Sequence, residues 1–279
     1  MARLLSFVGG SGDLLAFRRM SASPPLARVP DARRDPVLRR YPLRRLRLPC
    51  GDGVLSMVVP DARAWLREGR WASAVVRGAE PPYWIRIWPA AVAVARQLAQ
   101  AGELHGVRAL DFGCGVGVPG VQAAALGASI TFADLEADAV RFAAWNAERQ
   151  PASPGPAGVR RADWSRGLVV GDFDLLILSD VTYHRQNHAP VRRQIEAVLD
   201  AGGCVLHADP GREESARFLA GLPPAWRRQT WWRDVAFDGR PANVRLSLLA
   251  SEDGQLAAWR NRLAAPDSGG PAAIAEVSR

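Results

Sequence analysis

The stretch that decides the fold is Leu110-Asp111-Phe112-Gly113-Cys114-Gly115-Val116-Gly117-Val118-Pro119-Gly120. Its alternate glycines lie between a strand-type run, Val107 to Phe112, and the helical segment VPGVQAAALG, where Pro119 suits a first turn and Gly127 an end. Glycine at three such points lets the backbone turn sharply and approach a ligand, with amides and a helix N-terminus aimed into the gap. A tight structural loop is the plain alternative. Asp134, which closes the next apolar run 23 residues after Asp111, adds a second feature, because an acid there can accept both hydroxyls of a ribose. Asp111 separates two nucleotide readings. A dinucleotide site sets G-x-G-x-x-G against a pyrophosphate, whereas an acid ahead of the glycines repels phosphate and welcomes an ammonium group. The ligand is expected to have an amino acid end.

Outward from this loop the pattern is strand, turn, helix, repeated. Ser129 to Ala133 reads as a second strand, Ala137 to Glu148 as a helix stopped by PASPGPAG, and Gly158 to Ala162 as a third strand. Asp174 to Ser179 and Gly203 to Ala208 are continuous apolar runs of buried-strand type, separated by an amphipathic helix carrying Val191, Ile195, Val198 and Leu199. A helix over Glu213 to Leu222 and strands over Gln229 to Val235 and Val244 to Leu249 follow. Five strands joined by helices imply a doubly wound parallel sheet, and the last pair, with no helix between them, adds as a hairpin at one edge. Upstream, Trp88, Ala91, Val92, Ala95 and Leu98 follow helical spacing on a helix starting after Pro81 and Pro82. Gly51, Asp52 and Gly53 mark a short hairpin, and Asp61 is placed to cap a helix carrying Trp65 and Leu66.

The expected division is a basic disordered tail over 1–41, a hairpin and helix addition over 42–80, the main domain over 81–264 and a disordered tail over 265–279. The formal net charge of +8 is a property of the tail. Residues 1–47 hold 11 arginines against Asp13, Asp31 and Asp35, so the remainder is formally neutral, and the chain contains no lysine. Nucleic acid is therefore an unfavoured partner. The arginine-rich start reads as a basic tail, a transit-type segment, or leader ahead of a start at Met20. No apolar run approaches the roughly 18 residues of a spanning helix, so no membrane association is expected. Cys50, Cys114 and Cys204 are far apart and form no C-x-x-C, which points to a reducing, cytoplasmic setting with neither disulfides nor structural zinc. His184 and His188 stand at i and i+4 without a carboxylate or cysteine partner and are expected to face solvent, so no metal is assigned.

The pattern D-x-G-x-G-x-G resembles the first motif of class I S-adenosylmethionine-dependent methyltransferases, a Rossmann-like fold with a seven-stranded sheet and an antiparallel edge strand. Pro82-Tyr83-Trp84, Trp88-Pro89, Asp163-Trp164, Asp180-Val181-Thr182-Tyr183 and Asp209-Pro210-Gly211-Arg212 narrow the resemblance to the seven-strand protein lysine methyltransferases, over roughly Pro81 to Leu249. The resemblance implies that Asp111, Gly113, Gly115 and Gly117 line the methionine end of S-adenosylmethionine, with Trp88 approaching it. By the same likeness Asp134 serves the ribose, and Asp163 and Trp164 lie near the adenine. Asp180 and Tyr183 would form the transfer site for a protein presenting a lysine. A small-molecule N-methyltransferase, and a non-catalytic cofactor-binding or RNA-associated module, are the alternatives. The hairpin and the basic tail have no counterpart in the family pattern.

Overall fold

The computed structural model describes residues 29–68, 82–164, 166–167 and 169–263. Expectations about residues 1–28, 69–81 and 264–279, including both tail ends and any targeting segment, lie outside the described residues. Residues 29–41, expected to be tail, are instead packed. Val29–Ala32 (α1) and a 3-10 turn at Leu38–Arg40 bury Ala32 and Leu38 completely. Arginines in this segment suggested a solvated linker, but charge pairs tie it to the main domain: Arg40 pairs with Asp138 at 2.6 Å, and Asp35 receives Arg141 at 2.5 Å.

Leu43–Cys50 (β1) alternates buried Leu46, Leu48 and Cys50 with exposed Arg45 and Arg47, and pairs antiparallel with Gly53–Pro60 (β2). Asp61 caps Ala62–Arg67 (α2), accepting a hydrogen bond from the Ala64 N–H. The ribbon shares the core of the main sheet rather than building its own.

Arg108–Phe112 (β3) runs parallel to Ser129–Asp134 (β4), and Gly158–Arg161 (β5) extends the sheet beyond β4. On the other side lie Leu175–Ser179 (β6) and Cys204–Asp209 (β7), also parallel. The hairpin Arg227–Phe237 (β8) and Arg240–Ala250 (β9) completes the order β5-β4-β3-β6-β7-β9-β8, with β9 antiparallel to β7. This is the seven-stranded, mostly parallel, doubly wound α/β sheet. Chain order reverses between β3 and β6, and at such a point the connections leave to opposite faces and open a crevice beyond the carboxyl ends of the strands.

Helices cover both faces because successive strand residues point to opposite sides. Ala109 and Ile177 face the layer of Pro89–Leu98 (α3), Val118–Ala125 (α4), Ala137–Ala147 (α5) and the β1–β2 ribbon. Leu110, Phe112, Leu176 and Leu178 face His188–Asp200 (α6) and Glu213–Ala220 (α7). Fully buried Asn146 on α5 ties the ribbon down like one more strand partner. Its amide accepts from Val58 N–H at 2.7 Å and donates to Val58 O at 2.8 Å. Helix α3 begins at Pro89, not straight after the prolines at 81 and 82, because Tyr83–Ile85 makes a separate 3-10 turn that leaves Trp88 as the N-cap. A final helix, Asp253–Arg262 (α8), was not anticipated, being polar along its length with only Leu256 and Trp259 packed partly against the core.

Candidate functional site

The crevice at the reversal is a cleft of about 740 Å³. Trp88, Gly113, Gly115, Asp134, Asp163, Trp164, Asp180 and Tyr183 all line it, so eight residues singled out from five separated segments meet in one place. Asp111 and Gly117 do not line it. Gly117, at φ +79°, is the residue before α4, and a Cβ there would stand 2.4 Å from the Ala143 Cβ and 3.0 Å from Phe132. Its role is to let α4 and α5 pack together behind the loop.

Asp111 lies behind the cleft wall, 1% exposed. One carboxylate oxygen accepts the Gly120 N–H at 3.0 Å at the start of α4, and the other has no hydrogen-bond partner among the described residues. Burial pushes the carboxyl up to about 8, against the pull of the Gly120 amide, and the neighbouring Asp134 adds to the rise. Asp134, at the end of β4, is bound by two amides, Gly115 N–H at 2.8 Å and Glu136 N–H at 3.0 Å. Burial raises its carboxyl as well, with those amides opposing. Gly115 is covered by Trp84, whose carbonyl oxygen would be 3.3 Å from an added Cβ, so backbone lies against backbone here.

Trp84 is in turn held by the N-terminal segment. Tyr41 meets the Trp84 ring edge-to-face at 5.3 Å and Phe142 at 5.5 Å, and its hydroxyl donates to Asp138 at 2.5 Å. Residues 35–41 thus support the roof of the glycine loop. Trp164 packs edge-to-face on Phe112 at 5.2 Å, and Asp163 pairs with Arg166 at 3.1 Å. At the mouth, Tyr83 lies 6.3 Å from both Trp88 and Tyr183, forming an aromatic rim over which Arg86 stacks on Trp88 at 4.7 Å. The Trp88 indole donates to the Tyr83 carbonyl at 3.3 Å.

On the β6 side, Asp180 is 8% exposed and accepts both nitrogens of one guanidinium edge, Arg212 Nε and Nη2, each at 3.1 Å. Behind the Asp180–Tyr183 turn sits a buried polar group. The Thr182 hydroxyl is 3.0 Å from His207 Nε2 and donates to the Ser215 hydroxyl at 2.9 Å, and Asp209 takes Arg245 through both oxygens at 3.0 Å. Burial drives His207 down to about 3, with Arg245 adding to the fall. His188 is half-buried rather than solvent-facing, because a ring nitrogen lies 3.1 Å from the Thr182 carbonyl and the ring packs on Phe218; His184 is exposed and stacks on Tyr183. Arg212 and the Thr182–His207–Ser215 group were not anticipated. The Asp209-Pro210-Gly211-Arg212 motif carried the signal for Arg212, but nothing in it names Asp180 as the partner.

Residues 84–222 match the family described as lysine methyltransferase, a span that includes all eight cleft-lining residues. That matched span, just under half of the chain, is similar to this family. The electron transfer flavoprotein beta subunit lysine methyltransferase of Danio rerio is 31% identical over 136 residues, 48% of this chain and 52% of that protein. The protein N-lysine methyltransferase METTL21A of Mus musculus is 36% identical over 143 residues, 49% of this chain and 65% of that protein. The chain thus spans between about half and two thirds of the curated relatives it matches. Among solved structures, a TehB-like S-adenosylmethionine-dependent methyltransferase from Corynebacterium glutamicum superposes with a TM-score of 0.45 at 18% identity, covering 68% of this chain and 99% of that one. The β1–β2 ribbon lies outside the matched span, yet it is fused to the core through Asn146.

Proposed function

We propose that the chain is an S-adenosylmethionine-dependent N-methyltransferase that modifies a lysine side chain of a protein in the cytoplasm. The observation that carries this reading is the meeting, in one cleft, of the glycine loop and Asp134 from one side of the sheet reversal with Asp180 and Tyr183 from the other. The cofactor fits the residues present. Gly113 and Gly115 give a wall free of side chains, Asp134 suits a ribose, and Asp163 and Trp164 suit the adenine end. Trp88 closes the methionine side, and the unpartnered oxygen of Asp111 offers an acceptor behind the loop, where an ammonium group would draw the carboxyl to its ionised form. Gly117 serves this site through packing alone. When bound, S-adenosylmethionine supplies a methyl carbon whose C–S bond breaks, its electrons passing to sulfur, as the acceptor nitrogen's lone pair forms the new N–C bond.

The chain's own work is alignment and exclusion of water. Asp180 accepts a hydrogen bond from the arriving amine and so directs its lone pair, while Tyr183 offers an aromatic face and a hydroxyl beside a cation. Free Cys50, Cys114 and Cys204, all buried, support a reducing compartment. Among the described residues no helix is long and apolar enough to cross a membrane. The test is incubation with tritiated S-adenosylmethionine and a lysate of cells lacking the protein, followed by mass spectrometry. Label on lysine in a protein supports the reading. Label only in the low-molecular-weight fraction, or cofactor binding with no transfer to any fraction, rejects it.

A further inference from the structure

Asp180 combines a rare backbone state with a two-point ion pair. Its φ of +55° lies in the left-handed region, which residues bearing side chains seldom adopt, and its N–H donates to Ala208 O at 2.8 Å. Such a conformation persists where the surroundings hold it, and it collects at functional sites. Here the holder is Arg212, the residue just before α7, whose guanidinium edge takes both Asp180 oxygens. Arg212 follows Gly211, whose N–H donates to Asp209 at 2.7 Å, while Asp209 is itself matched by Arg245 from β9. Each carboxylate at the ends of β6 and β7 therefore has its own guanidinium.

For an incoming lysine the consequence is electrostatic. An unmatched carboxylate in this cleft would hold lysine as its ammonium, which has no lone pair to give, since a free lysine amine titrates near 10.4. A carboxylate already matched by a guanidinium presents no net charge, yet its remaining lone pairs still accept an N–H from a neutral amine. We propose that Arg212 is a positioning residue for methyl transfer, fixing Asp180 and neutralising its site so that lysine reacts as the free amine. This rests on the reading of the chain as a lysine methyltransferase. Arg212 does not line the cleft and acts through Asp180 alone.

Other charged groups nearby leave that balance to Arg212. Tyr183 and Asp209 are its remaining neighbours, and Asp209 is satisfied by Arg245. Across the cleft Asp134 is bound by two amides and Asp163 pairs with Arg166, while Glu136 and His184 stand at the exposed edge. Arg86 stacks over Trp88, and His207 is buried behind Thr182.

Two variants separate charge from geometry: Arg212→Gln removes the charge, and Arg212→Lys keeps it without the fork. In a thermal-melting titration with n-butylammonium chloride, against potassium chloride at equal ionic strength, Arg212→Gln should respond at a concentration at least about tenfold lower than wild type. Arg212→Lys should stay near wild type. With the acceptor protein identified by tritium labelling, saturating kcat of Arg212→Gln should fall at least about tenfold near neutral pH and approach wild type toward about pH 9.5. A purely structural role would lower kcat by the same factor at every pH. Equal butylammonium response in wild type and Arg212→Gln, or a kcat ratio independent of pH, overturns the inference. So does a kcat of Arg212→Lys that falls at least about tenfold below wild type near neutral pH, a comparison that stays decisive if the glutamine variant does not fold. Failure of wild-type protein to label any lysine counts against the methyltransferase reading itself, and the butylammonium comparison, which needs no turnover, still decides the role of Arg212.

Discussion

The two walls of the cleft are built by different means. On the β3–β4 side, acids are held by backbone amides close in sequence: Asp111 by Gly120, nine residues on, and Asp134 by Gly115 and Glu136. On the β6–β7 side, acids are held by guanidinium groups far along the chain, Asp180 by Arg212 and Asp209 by Arg245, 32 and 36 residues away. Their buried titrating groups also move in opposite directions, Asp111 up to about 8 and His207 down to about 3. The loop wall is a backbone device that any sequence with the right glycines can make. The acceptor wall is a side-chain device that exists only when the fold brings its partners together.

The largest expected effect breaks the loop wall. Gly117→Val puts a side chain into Ala143 and Phe132 at a positive φ, which should cost about 3 kcal/mol or more from overpacking and backbone strain, read as a fall in the urea midpoint. Asp180→Ala breaks the acceptor wall. It should lower transfer by at least about a hundredfold while the melting shift given by S-adenosylhomocysteine stays close to wild type, and normal transfer would remove Asp180 from the mechanism. The converse pattern is expected for Asp134→Ala, where cofactor affinity, measured by calorimetry, should weaken by about 2 kcal/mol.

The pH dependence of stability sharpens the contrast. Asp111 has a folded pKa above its ordinary 3.8, so its contribution is present at low pH and is lost as pH rises toward about 8. His207 has a folded pKa below its ordinary 6.5, so its contribution is lost as pH falls below that value. Melting temperature of the cofactor-free protein should therefore rise as pH is lowered from about 8 to 6.5, with His207 opposing any further gain below. Slopes of at most about 1.4 kcal/mol per pH unit are expected for each group. Asp111→Asn should flatten the alkaline limb, and His207→Gln should let the gain continue as pH falls below 6.5. If both variants keep the wild-type curve, neither group carries the titration. The smallest effect belongs to the roof: Tyr41→Phe, which loses the bond to Asp138, should destabilise by about 1 kcal/mol in thermal melting.

The sequence by itself determined the parallel strands, the doubly wound class and the glycine turn, and eight of the ten residues it singled out line one cleft. These are short-range signals: a strand, its turn and the next helix lie within about twenty residues, and the acid that closes β4 follows from the same repeat. Tertiary structure decided the rest. Asp111 and Gly117 belong to the same motif as Gly113 and Gly115, yet the turn of the chain sends one behind the wall and the other into a helix contact, which spacing cannot distinguish. The segment before Tyr41 looked like solvated linker because arginine and proline dominate it, and only the ion pairs of Asp35 and Arg40 with Arg141 and Asp138 on α5 make it structure. Arg212 was visible as a motif residue, but its pairing with Asp180 needs β6 and β7 side by side in register, a fact of the sheet that no local pattern encodes.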